Sequence, residues 1–365
     1  MADLDGLVTG ALGAALVLAV MYDVFQTVLL PRPSVGRAVA SPRLVRALWE
    51  VWGATFGRIR RVRAREAGLA AFAPFALLVL LALWTAGVLV GYGLVQQALS
   101  HEWAGSDHQV GTALYVSAQS LLTLGFGGAV PVGAAARIVA TVEAVSGLGL
   151  VAMVVSLLFS LFQSFQAREV QVVALDATAG APPSGVQILE TCAPDDMHEH
   201  LASVLRTWRL WTAAVLESHL AYPLLVYFRS SHDNEAWVNS FGAVLDAAAL
   251  LVTAVQSGPA PGEARLALKV GRHCVDDFSL VLGLPRAGPP GLERAEFDQA
   301  RDRLRAAGYA LREAEASWQA FCELRLHYAP PLAALARYLL LPPAPWLGDR
   351  SYLPHARATM PRKRR

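Results

Sequence analysis

The sequence predicts an all-α membrane protein with a helical part outside the bilayer, and three observations support that fold class. The 365 residues are 55% hydrophobic and 16% charged, too apolar for an ordinary water-soluble chain. Three apolar stretches, residues 7–30, 74–99 and 134–166, are each long enough to cross a hydrocarbon core of about 30 Å at about 1.5 Å per helical residue. Beyond residue 190 charge rises, no further run is long and apolar enough to span, and hydrophobic residues recur at helical spacing. A net charge of +2 decides little, because arginines crowd particular loops while lysine occurs only at Lys269 and Lys363. Cys192, Cys274 and Cys322 lack the short paired spacing of a zinc site and read as buried thiols in a reducing compartment.

Residues 1–33 are expected to form a retained transmembrane helix. A cleaved signal would begin with basic residues, whereas this segment opens with Asp3 and Asp5 and closes at Pro31-Arg32. Asp23 is the one charge in the apolar run and costly in hydrocarbon. Near the end of the span, it is expected to reach water or a loop arginine rather than to face the helix bundle. Residues 34–73 form a basic interfacial segment. Between Arg32 and Arg65 lie Arg37, Arg43, Arg46, Arg58, Arg60, Arg61 and Arg63, while Leu44, Leu48, Trp52, Phe56, Ile59 and Val62 recur at helical spacing. An apolar stripe with cationic flanks suits a helix lying among anionic lipid headgroups. So short a segment between two spans cannot easily approach a duplex, so nucleic acid is not the expected partner. Basic loops belong on the cytoplasmic side, which puts residues 32–65 inside and the amino terminus outside. The loop after the second span, with Glu102 and Asp107 and no Lys or Arg, then faces out and would concentrate cations.

Residues 113–131 organise the rest. An apolar, helix-like run breaks at Thr123-Leu124-Gly125-Phe126-Gly127. Gly125 and Gly127 can take left-handed backbone conformations that other residues resist, which lets successive carbonyls point the same way. One row of oxygens cannot replace a cation's hydration shell, but four copies around an axis can.

At these residues the chain resembles the potassium channel family, whose pore loop reads T-V-G-Y-G or T-x-G-F-G. In one ungapped register, Arg137 matches a common basic position after the filter and Gly147 the inner-helix hinge glycine. The resemblance is specific over about 113–166 and is to the bacterial two-transmembrane pore-loop class, here with an extra N-terminal helix. It implies a pore-forming channel domain over 74–166, built of outer helix, pore helix, filter and inner helix. It further implies a homotetramer that conducts K+ passively across the cell membrane. Thr123, Leu124, Gly125, Phe126 and Gly127 would form the filter, with the Thr123 hydroxyl and the following carbonyls as ion ligands and no cofactor beyond the permeant K+. The chain departs from the family at Gly128, where an acid is usual, at Leu122, where a second Thr is usual, and at Gln119, where some relatives carry Glu. The missing acid weakens the bracing of the filter from behind.

Gln119, Ser120 and Glu143 are the expected filter support. Glu143 is the single ionisable group in the apolar body of the third span, with Gln119, Ser120 or Ser117 as candidate partners; it either braces the filter or is a neutral acid bonded within the bundle. Helical steps from Gly147 put Val151, Val155, Phe159 and Gln163 on one stripe, which the resemblance places toward the axis. A ring of Phe159 side chains is the expected gate, with Val155 and Gln163 next to it. At about 50 Å if helical, this third span outruns the membrane and projects into the cytoplasm.

Residues 167–190, with the Pro/Gly run at 179–185, form a linker. A helical cytoplasmic domain follows over 191–341, with helices predicted at 195–222, 235–257, 262–282 and 292–328. Asp195 is the expected N-cap, with Gly258-Pro259 and Pro285 as expected stops. In the last helix Phe297, Ala300, Leu304, Ala307, Leu311, Ala314, Trp318 and Phe321 alternate spacings of three and four, a coiled-coil seam that packs within its own bundle or between subunits. His198 and His200 lie near Asp195, Asp196 and Cys192, and His219, His232 and Asp233 lie further on; capping and interhelix hydrogen bonds explain them better than a metal site. The Pro-rich basic tail, 342–365, is expected to be loosely attached to anionic lipid. No nucleotide loop, catalytic triad or Rossmann glycine pattern occurs, so no enzyme is expected. Two rivals to a potassium channel stay open: a weakly selective cation channel, suggested by Leu122 and Gly128, and a non-conducting membrane sensor or regulatory subunit working through the C-terminal helices.

Overall fold

The computed structural model describes residues 2–30, 40–105, 109–230, 236–342 and 346–347, and among these the regular structure is helical apart from one short two-stranded ladder and an isolated bridge between Val255 and Leu311. Two compact units emerge: Met1–Gln163 with His219–Phe228, and Ser164–Ser218 with Arg229–Arg365.

The first unit contains α1 (Ala2–Val28), α2 (Ser41–Phe56), α3 (Val62–Ala70), α4 (Phe72–Ala98), α5 (Val110–Leu121) and the first part of α6 (Ala134–Ala179). Among the described residues, three helical stretches are long and apolar enough to cross a membrane: Leu4–Val28, Val62–Ala98 and Ala134–Ala179. In hydrocarbon, close packing rather than water exclusion joins such helices, so small residues mark their crossings. Helix α1 lies against α4 on this principle. A Cβ at Gly13 would stand 2.4 Å from the Gly91 carbonyl oxygen, and one at Gly87 would stand 2.8 Å from Val20. Val17, Val88, Tyr92 and Leu121 form the core beside this contact.

Asp23 corrects one expectation. It is buried and bonds no arginine among the described residues; Oδ1 accepts the backbone N–H groups of Ala40 at 2.7 Å and Ser41 at 3.2 Å, and Oδ2 accepts Trp84 Nε1–H at 2.9 Å and the Ser41 hydroxyl. The carboxylate thus satisfies the first free amides of α2 from another helix and pins α2 to α1 and α4. On α2, Val45 and Trp49 are buried while Arg43 and Arg46 are exposed, so the helix is amphipathic, but its buried stripe runs one residue on from the expected one: Leu44, Leu48, Trp52 and Phe56 are half-buried, and Ile59 and Val62 lie beyond the end of α2. Arg32 and Arg37 lie outside the described residues.

The second unit holds the end of α6 and α7 (Gly185–Thr191), α8 (His198–Ala221), α9 (Trp237–Thr253), α10 (Pro261–Leu282), α11 (Arg294–Ala306), α12 (Ala314–Arg325) and α13 (Ala329–Tyr338). Apolar on nearly every side, α9 packs against α7, α10, α12 and α13. Residues 167–179, read from sequence as linker, continue α6 as helix, and the following Pro/Gly run is where that helix ends.

The helix predicted over 292–328 is broken. Residues 307–313 leave the helical path at Gly308, whose φ is +103°, and the Glu313 carboxylate caps the new helix by accepting the N–H groups of Glu315 and Ala316. The apolar seam folds back on itself: the Phe297 ring lies 5.2 Å from Trp318 and 5.3 Å from Phe321. Its periodicity therefore describes a hairpin of α11 and α12, not one coiled-coil helix. Burial raises the Cys192 thiol to about 11, and burial with Asp277 nearby raises Cys274 as well, so neither is a nucleophile at neutral pH. The tail from residue 348, and His232 and Asp233, lie outside the described residues.

Candidate functional site

Helix α5 ends at Leu121, and the chain beyond it alternates in hand. Positive φ values occur at Thr123 (+53°), Gly125 (+66°), Gly127 (+80°) and Gly128 (+99°), while Leu124 and Phe126 keep negative φ between them. Alternation of left- and right-handed residues turns successive carbonyls toward one side, the geometry two spaced glycines permit. Thr123 joins the pattern although a non-glycine residue is disfavoured there. The loop is tied back to α5 by backbone bonds from Thr123 N–H to the Ser120 carbonyl (3.2 Å) and from Leu124 N–H to the Gln119 carbonyl (2.9 Å). One side chain adds to this: Gln119 Oε1 accepts the Gly127 N–H at 2.9 Å. Ser120 contributes through its carbonyl.

Glu143 sits deeper than a loop brace. Fully buried on α6, it accepts Gln96 Nε2–H of α4 at 3.1 Å and meets the Ser117 hydroxyl of α5, which also donates to the Leu89 carbonyl at 2.8 Å. Of the three candidate partners, Ser117 is the one engaged. The acid therefore locks α5 between α4 and α6, bonding helices on both sides rather than the loop. Tyr92 on α4 repeats the link one layer away, its hydroxyl 2.9 Å from Ser146 Oγ.

At Gly147 the inner face of α6 meets the end of α5. A Cβ there would come within 2.0 Å of the Leu121 carbonyl oxygen, so glycine is required for the approach of the two helices. Helix α6 runs unbroken through this position. Val151, Val155, Phe159 and Gln163 are exposed, Phe159 at 72%.

Glu102 works as a cap rather than as a free charge. Its Oε2 accepts the Ala136 N–H at the start of α6 at 2.8 Å, and its carbonyl accepts Val132 and Gly133. Strands β1 (Trp103–Ala104) and β2 (Val130–Pro131) pair beside it, closing the loop on both sides. Asp107 lies outside the described residues.

Sequence reasoning missed two polar centres. Gln96 carries a signal, a polar side chain inside an apolar span. The other centre is Asp246, the only charge in α9, whose carboxylate accepts Arg325 Nε–H at 2.9 Å, the Tyr328 hydroxyl at 2.7 Å and Trp346 Nε1–H at 3.0 Å. Burial opposes the Arg325 charge, but the adjacent carboxylate leaves its pKa above the ordinary arginine value; burial and Asp246 together raise the Tyr328 hydroxyl well above its own. The histidines bond within the fold: His198 Nε2 lies 3.2 Å from the Ala193 carbonyl and His200 Nε2 3.2 Å from Thr178 Oγ1.

This arrangement, a short helix and a glycine-turned loop held between two membrane-length helices, defines an all-α membrane protein of the pore-loop kind. Residues 76–164, from α4 into α6, match the family model described as "Ion channel". That match points to a channel rather than an enzyme. Comparison with curated proteins and with solved structures finds no match.

Proposed function

We propose that the protein is a homotetrameric channel that passes K+ down its gradient across the cell membrane, with Thr123, Leu124, Gly125, Phe126 and Gly127 as the filter. The observation that carries this reading is the alternating hand of the backbone at Thr123, Gly125 and Gly127, the conformation in which successive carbonyls of one chain can align in a row. One row cannot surround an ion, so four chains must close around an axis, and K+ would be coordinated by stacked rings of carbonyls with the Thr123 hydroxyl at one end. Gln119 braces the filter directly, Glu143 holds the pore helix behind it, Gly147 admits that helix against the inner one, and the Val155, Phe159 and Gln163 stripe forms the gate. The amino terminus lies outside and the C-terminal helical unit in the cytoplasm. Exposed Arg43, Arg46, Arg58, Arg60, Arg61 and Arg63 meet anionic headgroups there.

A second reading, weak selectivity among cations, is favoured by Gly128: with no carboxylate after the filter, the Gln119 bond is the one side-chain brace to the loop backbone among the described residues. Reconstitution in liposomes with K+, Rb+ and Na+ flux tests both. Under the proposal K+ and Rb+ pass, Na+ is disfavoured, and Gly125→Ala abolishes selective flux because a Cβ obstructs the left-handed backbone. Equal K+ and Na+ flux supports the weakly selective channel; no flux from an assembled protein supports the sensor or regulatory subunit. Unchanged selective flux in Gly125→Ala removes the filter assignment.

A further inference from the structure

Residues His219–Phe228 comprise the last turn of α8 and the stretch that follows it toward α9; the bodies of both helices belong to the second unit, yet this segment packs with the first. They are anchored by aromatic contacts. Pro223 starts a 3₁₀ turn, Pro223–Tyr227, that carries Tyr227 to a ring separation of 5.3 Å from Trp49 on α2 and 5.2 Å from Phe72, the first residue of α4. Trp49 and Phe72 meet each other edge-on at 4.9 Å, so the three rings form one cluster. The next residue, Phe228, lies 6.4 Å from Phe162 on α6 in a T-shaped contact. Leu225, Val226, Tyr227 and Phe228 are all buried. One short segment therefore grips the interfacial helix, the foot of α4, and α6 three residues beyond Phe159.

The chain passes between the two units at three points, once along α6 and twice at the ends of this segment. Helix α8 runs unbroken to Ala221, so a tilt of that helix reaches Pro223 through a rigid lever rather than a slack loop. Packed aromatic contacts do not deform continuously; they hold or repack.

We propose that His219–Phe228 is a coupling strap through which the C-terminal helical unit controls the pore, by holding the foot of α4 and the Phe162 level of α6 in one arrangement. The proposal rests on the channel reading above. With the strap engaged, α6 is restrained one turn from the Phe159 constriction; with it released, the inner helices are free to part.

The test uses the full chain in liposomes, with Tyr227→Leu and Phe228→Leu, which remove a ring but keep an apolar side chain, and Tyr227→Phe, which keeps the ring. Single-channel recording should show both leucine variants raising resting open probability by about threefold or more, the scale of one lost aromatic pair. Unitary conductance and K+ over Na+ preference should stay at wild type, and Tyr227→Phe should behave as wild type throughout. Hydrogen exchange supplies a readout that needs no conduction: amides of residues 156–166 should exchange faster in the leucine variants and not in Tyr227→Phe. Open probability unchanged or lowered, or faster exchange confined to residues 219–228, overturns the strap. If wild-type protein passes no ions, the channel reading fails, and the exchange measurement alone decides whether the segment is coupled to α6.

Discussion

At Gly127 the backbone N–H finds its acceptor in Gln119 Oε1, eight residues back on α5. Under the proposed filter, and with no side chain at Gly128, this bond is the one side-chain brace to the loop backbone among the described residues. A hydrogen bond of this kind is worth about 1 kcal/mol net, roughly a fivefold change in an equilibrium. Gln119→Ala is therefore expected to lower the K+ over Na+ flux ratio about fivefold, while Gln119→Glu, which keeps an acceptor oxygen, should retain most of it. Paired-ion flux in liposomes measures the ratio, and an unaltered ratio in the alanine variant would rule out the brace. Asp23 and Asp246 follow the same logic elsewhere: each is a buried carboxylate held by several donors from distant parts of the chain.

Helix α6 is positioned by what it lacks at Gly147. The Leu121 carbonyl occupies the space of a side chain there, whereas a Cβ at Gly149, two residues on, would meet nothing within 4 Å. The two glycines should respond in opposite directions to the same change. Gly147→Ala forces α5 and α6 apart and should cost about 1–3 kcal/mol, as overpacking does. Gly149→Ala relieves only the backbone entropy of a helical glycine and should stabilise by up to about 1 kcal/mol. Thermal denaturation of the assembled protein in detergent compares them, and equal shifts would show that the α5 contact does not constrain α6. The α11 and α12 hairpin shows how an element's end is decided: the apolar spacing continues through 307–313, but Gly308 turns the chain and Glu313 caps a new start.

On the scale of the assembly, the exposed stripe of α6 requires a partner or lipid. Phe159 leaves most of its ring uncovered within the subunit, as a residue that meets its own copies around an axis would. Four such rings can meet and dewet, closing the path without a charged plug. With Phe159 as the proposed gate, Phe159→Ala and Phe159→Ser are expected to raise resting conductance severalfold with ion preference unchanged, because that reading makes constriction and filter separate devices. Recordings of folded, tetrameric protein check this. Wild-type resting flux in both variants would move the constriction to Val155 or Gln163, and a stable monomer or dimer in lipid would count against the pore as a whole.

What the sequence by itself determined is what depends on neighbours within a turn or two. Hydrophobic runs long enough to span, the glycine spacing at 125 and 127, and the bounds of α10 are local, and each agrees with the structure because no distant residue overrides it. The tertiary structure decided whatever depends on the chain returning to itself. Asp23 meets Trp84 across 61 positions, Glu143 meets Gln96 across 47, and Tyr328 meets Asp246 across 82. A costly charge in an apolar run signals that a partner must exist, and Asp23 and Glu143 were legible to that extent. Which donor arrives is set by helix packing, and the close approach at Gly147 and the docking of His219–Phe228 are set the same way, since the energy of each contact resides in two surfaces that no local pattern brings together.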